Sequence, residues 1–213
     1  MAHKFLDLVS TPSVRRAQEA NGSREAYARL EGGEATYHRL TERETEFIAA
    51  RDSFYMASVS QTGWPYVQHR GGPAGFLRVL DENTIAFADF RGNRQYVSVG
   101  NIDANDRVSL ILMDYPNRRR LKILGRARAV ELGQFPVLAA RLATPEYKAR
   151  PERALLIEVE AFDWNCPQHI TPRFTEAQIA EATAPLRARV GALEHENEML
   201  RAALARQPRE APL

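Results

Sequence analysis

SFYMASVS at residues 53–60, the turn QTG, and then WPYVQH at 64–69 decide the fold. Both segments are rich in β-branched and aromatic residues, and Gly63 punctuates them as a turn would. The pattern continues outward. After the breakers Gly71, Gly72, Pro73 and Gly75, a third strand is expected at Phe76–Leu80, then a turn at Asp81-Glu82-Asn83 and a fourth strand at Thr84–Asp89. VSLILM (108–113) and LKILGRARAV (121–130) read as two more, joined through Tyr115-Pro116-Asn117. Short strands with Gly, Asn and Asp turns at this spacing predict an antiparallel barrel or sandwich. Asn93–Asn101 reads as a short helix, residues 135–148 as another, and Leu155–Val159 as a last strand.

The flanks differ in character. Residues 1–50 read as a polar helical arm, with a helix from Pro12 to Ala20 stopped by Asn21-Gly22 and a loop at Glu31–Glu34. Thr41 and Glu44 form a capping box that opens a helix through Phe47, Ile48 and Ala49. Downstream, Pro185 is expected in the first turn of a helix. Leu186, Leu193 and Leu200 recur every seven residues, with Val190, Asn197 and Leu204 four residues after each. That spacing predicts a short parallel coiled coil with Asn197 at an a position; an amphipathic helix packed on its own domain is the alternative. The expected organisation is therefore an arm (1–50), a barrel domain (51–174), a C-terminal helix (175–206) and a disordered tail (207–213).

Composition excludes several classes. The 213 residues are 44% hydrophobic and 26% charged, which is globular rather than disordered. With 29 Lys+Arg against 27 Asp+Glu, the chain lacks the charge of a general nucleic-acid binder. Six cations and no acid fall between Tyr115 and Arg128, however, which suggests a local anion site. A solvated hairpin face is the alternative for Arg118–Arg120. A basic-zipper DNA binder is not supported, because Pro172 and Pro185 interrupt the approach to the leucine repeat. The single cysteine, Cys166, forms no intrachain disulfide and no multi-cysteine zinc site. The N-terminus lacks an apolar signal segment and no run is long enough to span a membrane, so a cytoplasmic protein is expected.

No dinucleotide fingerprint, P-loop, H-E-x-x-H or G-x-S-x-G motif is present, and the five histidines show no metal-ligand spacing. What remains is a polar constellation. Gln68-His69-Arg70-Gly71 ends one strand, and Ala88-Asp89 leads into Gly92-Asn93-Arg94-Gln95 before an expected helix. Arg118–Lys122 opens another strand, and Asn165-Cys166-Pro167-Gln168-His169 follows the last. A cation beside a helix N-terminus suits a phosphate. Bare backbone at Gly71 and Gly72 admits a planar ring, and amide side chains match a heterocycle edge. The combination predicts a planar, phosphorylated ligand. Arg91 and Arg94 have a second reading, as partners of Asp103 or Asp106. His169 reads equally as a satisfied structural histidine, and Trp64 and Trp164 as core.

Over roughly residues 5–175 the chain resembles the pyridoxamine 5′-phosphate oxidase-like flavoproteins, the FMN-binding split-barrel family. The resemblance rests on ARDSFYMASVSQTGWPYVQHRGGP, FADFRGNRQYVSVGN, DRVSLILMDYPNRRRLKILGRA and NCPQHITPR. It implies a six-stranded split β-barrel with flanking helices, and a homodimer holding FMN at its interface. It places Gln68, His69, Arg70 and Gly71 along the flavin, Ala88 and Asp89 at the ring edge, and Asn93, Arg94 and Gln95 at the phosphate. Arg120 stands where the family has a Gln. Gln168 and His169 join the cofactor set, and His169 and Cys166 are the candidates for catalysis. Gln95 replaces a family cation, a charge that Arg70 or Arg120 would restore. The implied function is a flavin-dependent oxidoreductase acting on a small molecule. A non-enzymatic FMN carrier or sensor is the alternative, and a haem or other cofactor is a third reading.

Overall fold

In the computed structural model, which describes residues 2–32, 35–164 and 166–206, the strand-rich stretch folds as one curled antiparallel sheet. The elements in order are β1 (Ala2–His3), α1 (Lys4–Val9), α2 (Pro12–Ala20), α3 (Arg24–Ala28), β2 (Ala35–Thr36), α4 (Glu42–Ala49), β3 (Ser53–Val59), β4 (Pro65–Gly71), β5 (Arg78–Asp81) and β6 (Thr84–Phe90). They continue with α5 (Val97–Ala104), β7 (Arg107–Asp114), β8 (Arg119–Val130), a 3-10 turn at Leu132–Gln134, α6 (Pro136–Leu142), β9 (Pro151–Trp164) and α7 (Glu176–Ala205). Gly33, Glu34 and Asn165, and the tail at 207–213, lie outside the described residues. The chain divides into two units, one up to Ile170 and one from Thr171.

The main sheet has seven strands, in the order β4-β3-β7-β8-β9-β6-β5, not the six expected. The seventh is the segment expected as a short last strand. β9 runs 14 residues and pairs with both β8 and β6, so it is central to the sheet. Its ladder with β8 shifts register between Leu124 and Gly125. A Cβ at Gly125 would stand 2.5 Å from the Glu158 carbonyl oxygen, so this bulge requires glycine. A separate two-stranded parallel sheet joins β1 to β2.

The sheet's two ends converge although no ladder joins them. Phe54 of β3 stacks on Phe76 (5.7 Å) and meets Phe87 of β6 edge-on (5.2 Å). A core cluster spans Ile48, Met56, Leu110, Leu121, Ile123 and Ile157, so strands from across the sheet share one interior. β6 is buried on both faces. Ile85 and Phe87 enter this core, while Ala86 and Ala88 pack outside against Leu142 of α6.

The capping box at Thr41 forms as expected: the Thr41 N–H donates to Glu44 Oε2 (3.1 Å). Glu44 is buried, and its Oε1 accepts from Trp164 Nε1 (2.6 Å), which ties the arm to β9. Trp164 packs against the core as expected, whereas Trp64 is 76% exposed on the β3–β4 turn. Three helix boundaries differ. α5 begins at Val97, leaving Asn93–Tyr96 as loop. α6 ends at Leu142, since Thr144 precedes Pro145 and is biased away from helical backbone. α7 starts at a Thr175–Gln178 capping box, so Pro185 lies in its interior rather than its first turn. No described helix is long and apolar enough to cross a membrane.

Candidate functional site

The convergence of β4 and β6 creates a cavity at one end of the barrel. Alternation along β4 turns Gln68 and Arg70 to one face and the His69 ring to the other, edge-on to Tyr55 at 5.5 Å. On β6, Asp89 follows the inward parity of Ile85 and Phe87. Arg70 Nη1 donates to Asp89 Oδ1 at 2.7 Å across the open seam. Register places Arg153 of β9 opposite Asp89, with its Nε 3.7 Å from Oδ2. Burial raises the Asp89 carboxyl above the usual aspartate range, and the positive charges of Arg70 and Arg153 offset this only in part.

The Nε atoms of both arginines are buried and have no hydrogen-bond partner. A buried N–H without an acceptor is costly, so the Arg70 donor, which borders the cavity, suits an anionic or carbonyl group entering beside it.

The loop after β6 completes the wall. Arg94 (φ 62°) and Tyr96 (φ 54°) both adopt left-handed backbone, rare for such side chains. The Gln95 N–H donates to Asn93 Oδ1 (3.2 Å), which closes the turn. Arg94 Nε donates to Tyr96 Oη (3.0 Å), and Tyr96 Oη donates to Glu152 Oε2 (3.2 Å). Arg153 lies over the Tyr96 ring at 4.8 Å, and Arg91 Nε is 3.8 Å from Glu152. Four guanidiniums (Arg70, Arg91, Arg94, Arg153) thus face two carboxylates, leaving a positive surplus. α5 starts here, and helix geometry leaves its first N–H groups at Val97, Ser98 and Val99 without intrahelical acceptors.

Arg70, Asp89, Arg94, Tyr96 and Glu152 line a cavity of about 240 Å³ with Tyr66, Gln68, Asn93 and Gln95, whereas Arg91 and Arg153 line a separate space of about 350 Å³ that shares Arg94 and Glu152. An adjoining space of about 180 Å³ runs along Gln68–Gly71 and Phe87–Phe90. The larger depression of about 810 Å³ lies elsewhere, between α5 and β8, and holds none of the residues expected to bind the ligand. Its Arg126 is already held by Asp106 and Glu160.

The structure brings together Gln68, Arg70, Gly71, Ala88, Asp89, Asn93, Arg94 and Gln95; His69 borders the smaller space, but its ring points away. Arg120, Gln168, His169 and Cys166 line neither cavity. Cys166, Gln168 and His169 are exposed, and His169 has φ 61°. Within the 115–128 run, Arg119 covers Trp164 and Phe47, Lys122 pairs with Asp163 at 2.9 Å, and none of its cations lines either space. The expected phosphate cluster drawn from Arg118–Lys122 is therefore not assembled at this cavity within one chain. Arg91 and Arg94 turn toward Glu152 and Tyr96 rather than toward Asp103 or Asp106. The bare backbone at Gly72 is filled by Phe76, whose ring would stand 2.7 Å from a Cβ there. Sequence reasoning missed Tyr66, Tyr96, Glu152 and Arg153. The signal for Arg153 was its place opposite Asp89 on a neighbouring strand, which only the register reveals.

The strands thus form a split, curled antiparallel barrel with a cavity at its seam. The model of the pyridoxamine 5′-phosphate oxidase family matches residues 40–164, and the chain belongs to that family. Among solved structures, HupZ of Group A Streptococcus is similar at 17% identity over 63% of this chain and 99% of that one (TM-score 0.49). A putative pyridoxamine 5′-phosphate oxidase from Lactobacillus delbrueckii is 21% identical over 59% and 94% (TM-score 0.46). An FMN-binding protein from Syntrophomonas wolfei is 16% identical over 72% and 95% (TM-score 0.41). No curated protein matches.

Proposed function

We propose that this chain binds FMN in the seam cavity, as a homodimer, and acts as a flavin-dependent oxidoreductase on a small molecule in the cytoplasm. The observation that carries the reading is the buried, unpartnered Nε donor of Arg70 at the wall of a cavity that also holds Arg94 and the start of α5. The donor set fits the cofactor. Arg94, Gln95, Asn93 and the first N–H groups of α5 would hold the phosphate. Gln68, Arg70 and the β6 edge at Ala88-Asp89 would lie along the ring, with their amide and guanidinium donors matched to its polar edge. Bound flavin supplies two-electron redox chemistry, and the chain supplies orientation and charge. A buried Asp89 with a raised pKa sits where it would adjust the proton balance beside the ring.

Arg120, Gln168 and His169 lie outside the cavity of their own chain. In the proposed dimer they are the residues a second copy would add. The domain reading stands with this proposal: residues 51–174 hold the flavin, and the N-terminal arm braces them through Glu44 and Trp164.

The test is spectroscopic. Purified protein should carry, or bind on titration, a flavin with its two visible absorption bands, and Arg94→Ala should retain it roughly tenfold or more weakly, since a charge-assisted phosphate contact is lost. A Soret band, or flavin retention unchanged in Arg94→Ala, would overturn the assignment. The non-enzymatic carrier reading is favoured by one observation: neither His169 nor Cys166 lines the cavity. Reduction of the bound flavin by NADH or NADPH with turnover decides for the enzyme, and its failure with nicotinamide and vitamin B6 donors decides for the carrier.

A further inference from the structure

α7 is a 30-residue helix on which every residue but Thr183 is exposed, including Leu186, Val190, Leu193, Leu200 and Leu204. Such an apolar stripe needs a partner. The charges flanking it identify which one. With leucines at d and Val190, Asn197 and Leu204 at a, the e positions hold Arg187, Glu194 and Arg201, and the g positions hold Arg189, Glu196 and Ala203. Among the described residues none of Arg189, Glu194, Glu196 and Arg201 takes part in an ion pair within the chain.

In a parallel, in-register pair each g residue meets the e residue five positions on in the partner helix. Arg189 then faces Glu194 and Glu196 faces Arg201, each twice by symmetry, giving four attractive pairs and no like-charge contact. Asn197 meets its own copy, where two amides can hydrogen-bond. An antiparallel pair aligns a with d and sets e against e and g against g. With Val190 layered on Leu200, Glu194 meets Glu194, Glu196 meets Glu196, and Arg187 meets Arg201, while Asn197 is buried against Leu193. Every charged contact there is repulsive, and the buried amide has no partner.

We infer that the exposed stripe of α7 is a self-recognition surface. It pairs with α7 of a second copy, parallel and in register from Leu186 to Leu204, over about 27 Å. The inference does not depend on flavin binding, and it specifies an orientation that a barrel dimer alone would not.

The test uses the full chain with Cys166→Ser, which removes its only cysteine, and Leu200→Cys as the reporter. In a parallel in-register pair the two Cys side chains at position 200 are adjacent, whereas an antiparallel pair sets each opposite Val190. Mild oxidation should give a disulfide-linked dimer. Adding Glu194→Arg with Glu196→Arg, or separately Arg189→Glu with Arg201→Glu, should slow cross-linking about tenfold or more, because like charges replace all four pairs. Co-expressing the two charge variants under different tags should restore the cross-link, and only between unlike chains. Circular dichroism verifies that each variant keeps its helix, and sedimentation reads any barrel dimer separately. No cross-link in the parent, or equal rates in parent, both variants and their mixture, would overturn the inference.

Discussion

Arg70→Leu removes the shortest contact across the barrel seam. In the native chain Asp89 is buried and holds Arg70 at 2.7 Å, with Arg153 at 3.7 Å on its other oxygen. Removing one partner of a buried pair costs about 3–5 kcal/mol when the remaining charge is left alone. Arg153 still faces Asp89, so the expected loss at pH 7 is smaller, about 2–4 kcal/mol. For a chain of this size that corresponds to a fall in Tm of about 5–15 °C. Adding Asp89→Asn should recover much of it, because no buried carboxylate then lacks its partner. The pH dependence has a defined sign. The Asp89 carboxyl already stands above its ordinary value, and losing Arg70 raises it further. A group whose native pKa is raised stabilises the fold in its protonated form, so the deficit of Arg70→Leu should shrink as pH falls from 7 toward the carboxylate range and be full at neutral pH. Urea denaturation of parent, both single variants and the double variant, at pH 7 and pH 5, measures all of this. Equal deficits at the two pH values, or additive losses in the double variant, would refute the claim that Asp89 and Arg70 act as a buried charged pair.

Glu44 should behave oppositely. Burial pushes its carboxyl up, but hydrogen bonds from Thr41 and Trp164 outweigh this and leave it below the usual glutamate range. Its contribution is present above that range and lost as pH falls through its lowered native value, so Glu44→Gln should cost about 1–2 kcal/mol at pH 7 and flatten the acid limb of a stability–pH curve. Gly125→Ala forces a methyl to within 2.5 Å of a backbone oxygen and should lower stability by about 1–3 kcal/mol or more in thermal unfolding, with unchanged helix content by circular dichroism. Ending the chain after Phe174 removes α7 and should leave flavin binding intact by titration, while abolishing any association carried by the helix in sedimentation.

Local physics was legible along the chain. The β-rich segments of β3, β6 and β7 bounded by turn residues, the Thr41 box and the heptads of α7 are all short-range patterns, and each was readable before any contact was known. Arg94 was readable too, because a cation beside a glycine and an asparagine ahead of a helix is a local arrangement. The start of α7 was misjudged: Pro185 is a conspicuous signal, but the Thr175–Gln178 box satisfies the first N–H groups ten residues earlier. The length of β9 was underestimated because it begins with Pro151-Glu152-Arg153, a polar stretch with no alternation to mark it; the count of six was what the resemblance implied, while the segments read along the chain already number seven.

By itself the sequence determined the antiparallel class, the capped helix after Thr41 and the presence of a C-terminal helix, since these depend on periodicity and capping within a few residues. The tertiary structure alone decided the site. Arg70, Asp89 and Arg153 are far apart in sequence and come from three strands, two of them near opposite ends of the sheet order. Only the curl of the sheet sets β4 against β6, and only the β6–β9 register sets Arg153 against Asp89. The β8–β9 ladder sets Lys122 opposite Asp163 and brings Arg119 over Trp164, so a cationic run that suggested one phosphate site became a set of separate partners. Charge spacing in a sequence constrains which residues are available; which charges meet is set by strand pairing over distances that local patterns do not encode.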